Sequence, residues 1–159
     1  MNEKKTHPFN NSVDTGLRML CLLNFAHPKS IDLQKLIYLD YLMVHSGDID
    51  NNIASLHPPV PYRTGEIFIR RKITQRGLQL FLSKNLINVQ YTKEGIEYRA
   101  EESSTPFLEI LEEGYFLNLI ERAKWVTERF LEVSPEELKS LIQSSAKNIN
   151  EDFKLEILQ

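Results

Sequence analysis

The chain has 159 residues, 42% of them apolar and 26% charged, the profile of one ordinary globular core with room for a helical appendage. A single cysteine, Cys21, excludes an internal disulfide, and no apolar run approaches a membrane span, so a soluble protein of the reducing cytoplasm is expected, with no membrane association. The net charge of −3 divides unevenly: residues 1–100 hold 13 Lys and Arg against 9 Asp and Glu, and residues 101–159 hold 6 against 13. An acidic total argues against nucleic-acid binding by the whole surface and leaves room for a local basic contact.

The polar start MNEKKTHPFNNS has no signal-peptide core, and residues 1–11 read as a flexible arm. From Val13, the residues Leu17, Leu20, Cys21 and Leu23 recur at helical spacing until His27-Pro28 stops the helix. Ser30 can cap a second helix from Ile31 to about Val44. That helix is apolar on nearly all sides, so most of its girth must be buried. His45 to Asn52 reads as a loop.

The segment SLHPPVPYRTGEIFIRRKITQR, Ser55 to Arg76, is the most informative of the chain. Pro58, Pro59 and Pro61 fix φ and remove donors, which excludes a helix there. Thr64 can cap, and a third helix is expected from Gly65 to Lys84. On it Lys72, Gln75, Arg76 and Gln79 form one polar stripe, with Ile69, Ile73, Gly77 and Leu80 as an apolar stripe beside it. Arg70 and Arg71 fall among apolar neighbours and need carboxylates, carbonyls or a partner surface.

Ile87, Val89 and Tyr91 alternate into the turn Thr92-Lys93-Glu94-Gly95, and Ile96, Tyr98 and Ala100 alternate back, which predicts a hairpin. Three helices followed by a hairpin predict a winged helix-turn-helix domain over residues 12–103. The fold class is then mainly α with a small β-hairpin. A helical extension over 104–149 is expected next: Thr105 and Pro106 open one long helix to about Val133. Its seam is Leu108, Leu111, Tyr115, Leu119, Ala123, Val126 and Phe130, wide enough to suggest cover by another chain. Ser134-Pro135-Glu136-Glu137 is a capping box for a short last helix, and residues 150–159 form a tail.

Catalytic signatures are missing from the sequence. It has no G-x-x-x-x-G-K-[ST], so the chain is no P-loop ATPase, and it has no G-x-S-x-G, H-E-x-x-H or paired-cysteine zinc spacing. His45, Asp48, His57 and Glu66 match no ligand motif, so neither metal nor cofactor is expected, and Cys21 reads as a buried, inert thiol. Lys72 and Arg76 are candidates for DNA phosphates or a major groove if the third helix is a recognition helix; a solvated face is the plainer alternative. Trp125, with Tyr115, Phe116 and Phe130, could face a partner or simply pack the core.

LQKLIYLDYLMVHSGDI (Leu33–Ile49), SLHPPVPYRTGEIFIRR (Ser55–Arg71), GIEYRAEES (Gly95–Ser103) and ERAKWV (Glu121–Val126) together resemble the middle-component proteins of bacterial ABC-three-component systems, among them the Lamassu-type anti-phage operons. The resemblance runs from about Asp14 to Phe130, and its most specific part is His-Pro-Pro-x-Pro-Tyr-Arg-Thr-Gly-Glu; residues from Ser134 onward match nothing in it. It implies a small non-catalytic adaptor that joins an SMC- or Rad50-like ABC ATPase to an effector, often a nuclease, and meets DNA through the complex. Tyr62, Arg63, Arg70, Arg71 and Trp125 become the candidate partner contacts. The alternative from a different class is a free-standing winged-helix transcriptional regulator that binds DNA.

Overall fold

The computed structural model describes residues 11–58 and 63–145, and for residues 63–66 and 68 the backbone alone. Its centre is a helix that touches solvent only near its ends. Helix α1 (Ser12–Ala26) is buried without a break from Thr15 to Leu23. Asn11 starts it by accepting the Asp14 N–H at 2.8 Å, and the helix closes at His27, whose N–H bonds the Leu23 carbonyl.

Ser30 is not the cap of the second helix. Ile31–Asp32 form a short strand, β1, and the Asp32 carboxylate accepts the Lys35 N–H at 2.8 Å to begin α2 (Leu33–Val44). An ionised acceptor at that position serves the helix dipole better than a hydroxyl one turn earlier. The expected burial of α2 holds: every residue from Leu36 to Val44 is buried. A single 3-10 turn over Ser46–Asp48 follows.

Helix α3 (Arg63–Ser83) packs on α1 through two glycines. A Cβ on Gly77 would lie 2.7 Å from the Gly16 nitrogen, so the helix backbones meet directly there. The expected apolar stripe of α3 is rotated. Ile69 is 67% exposed, while Arg70, Thr74, Gly77, Leu78 and Phe81 face the core. A buried carboxylate on α2 turns Arg70 inward and sends Ile69 out, as described below.

Strands β2 (Ile87–Thr92) and β3 (Gly95–Ala100) form the expected hairpin, with Gly95 at φ +129° closing the turn. The sheet order is β1-β3-β2, all antiparallel, in register Ile31↔Tyr98, Val89↔Tyr98 and Tyr91↔Ile96. The protein is thus mainly helical with a small three-stranded sheet, an arrangement compatible with a winged helix.

The expected long helix after residue 104 is two helices. α4 (Ser104–Glu109) winds tight at Ile110 and Leu111, and α5 (Gly114–Phe130) begins after Glu113 in extended backbone. Gly114 weakens helix continuity, and the break lets α5 pack on α1 and α2. Ser103, not Thr105, precedes α4, and its hydroxyl bonds the Asn85 carbonyl at 2.9 Å. The predicted seam is real but turns inward: Leu108, Leu119, Ala123, Val126 and Phe130 join α1 and α2 in one hydrophobic cluster.

A further helix, α6, covers 135–145. The Ser134 hydroxyl accepts the Glu137 N–H at 3.2 Å, as the capping box requires, and Leu138 and Ile142 enter the same cluster. The arm expected over 1–11, save Asn11, and the tail over 150–159 lie outside the described residues.

Candidate functional site

One carboxylate joins the first three helices. Asp40 sits mid-α2 with no solvent exposure and receives Arg18 Nε of α1 at 2.7 Å and Arg70 NH1 of α3 at 2.7 Å. Arg18 makes a longer bond to the second Asp40 oxygen at 3.4 Å and one to the Thr15 hydroxyl at 3.3 Å. Burial alone would raise the Asp40 pKa; the Arg18 and Arg70 charges outweigh it and hold the carboxyl below its ordinary value. Burial would likewise lower Arg18, and Asp40 more than restores it. Such a cluster is costly to desolvate, and Asp40 is the member that both arginines share.

Around it lie aromatic and imidazole groups. His57 Nε2 and the Tyr115 hydroxyl are 3.1 Å apart, and Tyr115 also bonds Arg18. The His45 and His57 rings meet edge-on at 6.4 Å, and the Tyr41 hydroxyl reaches Asp48 at 3.5 Å. Burial, then the Arg18 charge, lowers the His57 pKa to about 4, so the ring is neutral at pH 7. His57 and Arg70 stand at either side of the proline-rich string. Arg70 binds Asp40, and His57 lies against the Tyr115 hydroxyl.

Burial pushes the Cys21 thiol up to about 12, which leaves it protonated and inert. Among the described residues no three His, Cys, Asp or Glu side chains are placed to hold a metal ion. No helix among them is long and apolar enough to cross a membrane.

The candidate contact residues separate on this framework. Arg70 is 6% exposed and engaged with Asp40, so it faces the core and offers no surface to a partner in this fold. Arg71, the next residue, is exposed and donates to Gln34 Oε1 at 3.0 Å. Lys72, Gln75, Arg76 and Gln79 are all exposed, as the stripe predicts, and no carboxylate among the described residues pairs with Lys72 or Arg76. From Ile67 to Lys93 the chain holds six cations, Arg70, Arg71, Lys72, Arg76, Lys84 and Lys93, and no Asp or Glu. Trp125 is half-buried, edge-on to Phe130 at 5.9 Å, with the Arg129 guanidinium 5.6 Å from its ring centroid. Tyr62 and the side chain of Arg63 lie outside the described residues.

Sequence reasoning missed Asp40 and Arg18. The signal was present: an acid in the middle of LIYLDYLMV and an arginine within GLRMLCLL, each inside an otherwise apolar helix, call for each other. It also missed the exposed pair Tyr91 and Ile96 at the hairpin tip.

A family model described as ABC-three component (ABC-3C) system Middle Component 2 matches residues 8–152. No curated protein and no solved structure matches the chain.

Proposed function

The chain belongs to the Middle Component 2 family of ABC-three-component systems, and from that membership we propose that it is a non-catalytic adaptor in a defence complex. A middle component has partner components in its system. In the reading proposed here these are an SMC- or Rad50-like ABC ATPase and an effector, often a nuclease, in a cytoplasmic anti-phage complex of the Lamassu type. The adaptor carries the signal from one to the other. The observation that carries this reading is the family match over nearly the whole chain, in a sequence without a nucleotide-binding motif. ATP hydrolysis then belongs to another subunit.

Arg71 and Trp125 are the proposed contacts among the described residues, together with Tyr62 and Arg63. Arg70 supports the surface from beneath, because it is bound to Asp40. The test is co-expression of the three components with a tag on the ATPase. The effector is expected to co-purify only when this chain is present; effector recovered equally without it contradicts the adaptor role.

A second reading has its own support in the uncompensated cations of α3. Lys72 and Arg76 with Gln75 and Gln79 are residue types that contact phosphates and base edges. Under it the chain is a DNA-binding regulator. It requires that the purified chain bind a duplex with affinity falling steeply as salt rises. No binding at low salt removes it.

A further inference from the structure

The hairpin carries an apolar ladder that begins in the core and ends in solvent. Ile87, Val89 and Tyr91 share one face of β2, and their partners across the register, Ala100, Tyr98 and Ile96, share the same face. Ile87 and Ala100 are 2% and 1% exposed, Val89 and Tyr98 are half-buried, and Tyr91 and Ile96 are 84% and 53% exposed. The last pair is a tyrosine directly opposite an isoleucine with nothing in the described fold over them. The polar residues are on the other face, as Asn88↔Arg99 and Gln90↔Glu97.

Arg71 lies beside this ladder. Gln34, two residues after β1, holds its guanidinium at 3.0 Å, and β1 pairs with Tyr98 of the ladder through Ile31. Ile67 to Lys93, the stretch of chain that leads into the tip, holds cations and no acids. Glu94 is in the turn beside Lys93 and Glu97 is on the opposite face of the hairpin, so neither interrupts the ladder.

We propose that the hairpin tip, Tyr91 with Ile96, and the adjoining Arg71 form the docking surface for an acidic amphipathic segment of a partner subunit. Apolar side chains of that segment would cover Tyr91 and Ile96 while its carboxylates meet Arg71 and the exposed cations of α3. Charge complementarity selects this occupant, and tyrosine and arginine are residue types that carry interface energy. A nucleic acid would satisfy the cations but leave the apolar pair uncovered. The proposal rests on the adaptor reading and adds the place and chemistry of the contact.

The test measures binding of the full chain to the purified ATPase and effector components of its own system, each separately, and to a short blunt-ended DNA duplex. Tyr91→Ser with Ile96→Ser is expected to weaken binding to one component by about tenfold or more. Arg71→Glu is expected to weaken it too, and raised salt to weaken the wild type further. Circular dichroism unchanged from the wild type establishes that the variants fold. Undiminished binding by both variants overturns the docking surface while leaving the adaptor reading intact. A wild-type chain that binds neither component defeats the adaptor reading and the docking surface with it. Duplex binding lost in Lys72→Ala with Arg76→Ala, where no component binds, assigns the face to DNA and likewise overturns the proposal.

Discussion

The inward and outward sides of α3 teach different lessons from nearly identical residues. Arg70 and Arg71 are neighbours, yet Arg70 is 6% exposed and bound to a buried carboxylate, whereas Arg71 is exposed and, among the described residues, held by an amide oxygen. The first arginine's charge is matched within the fold, so it acts on stability. The charge of the second remains at the surface, where the proposed docking would use it. A charge reversal at both positions would confound the two effects, and single substitutions separate them.

The largest effect is expected at the inward side. Asp40→Asn removes the carboxylate that Arg18 and Arg70 share in the core, and should cost about 3–5 kcal/mol in urea-monitored unfolding. A loss under about 1 kcal/mol would mean that the cluster contributes little. The glycine crossing comes next. Gly77→Ala puts a Cβ against the α1 backbone, where the nearest atom would be 2.7 Å away, and overpacking of this kind costs about 1–3 kcal/mol. An unchanged unfolding midpoint would show that the two helices can separate freely.

The His57 ring sharpens the same comparison through pH. Its folded pKa, about 4, is below the ordinary imidazole value of 6.5, so the unfolded chain takes up a proton first as pH falls. Stability attached to the neutral ring is therefore present above 6.5 and declines as the pH drops toward 4. Asp40, also depressed, adds its own loss at lower pH, as the solution approaches and passes the ordinary carboxylate range. His57→Gln should flatten the decline between pH 6.5 and 5, read as the thermal midpoint at each pH. An identical slope in the variant would assign the decline elsewhere. The smallest effect belongs to the outward side: Lys72→Ala with Arg76→Ala should move stability by no more than about 0.5 kcal/mol, because both side chains are exposed and neither has an ion pair among the described residues.

Much of the framework could be read from the residues. The apolar α2, the alternating hairpin strands and the Ser134 cap are local patterns, and local patterns survive folding. What could not be read depended on contacts distant in the chain. β1 is a strand only because Ile31 and Asp32 find Tyr98 and Glu97, far beyond any local period. α3 is rotated because Asp40, thirty residues earlier, draws Arg70 inward and so exposes Ile69. The long C-terminal helix breaks at the exposed Glu113-Gly114, although its heptad-like spacing continues across the break. At the site, two arginines among apolar residues were visible as a problem. The carboxylate that satisfies one of them was visible too, since an aspartate in a wholly apolar helix needs a cation.

The central claim is that the outward charge of α3 serves association and not the fold. Its most direct measurement is the dissociation constant of the Arg71→Glu chain for whichever ATPase or effector component the wild type binds, taken beside its urea midpoint. The account predicts binding weakened by about tenfold or more with the midpoint unmoved. Wild-type affinity in the folded variant would contradict it.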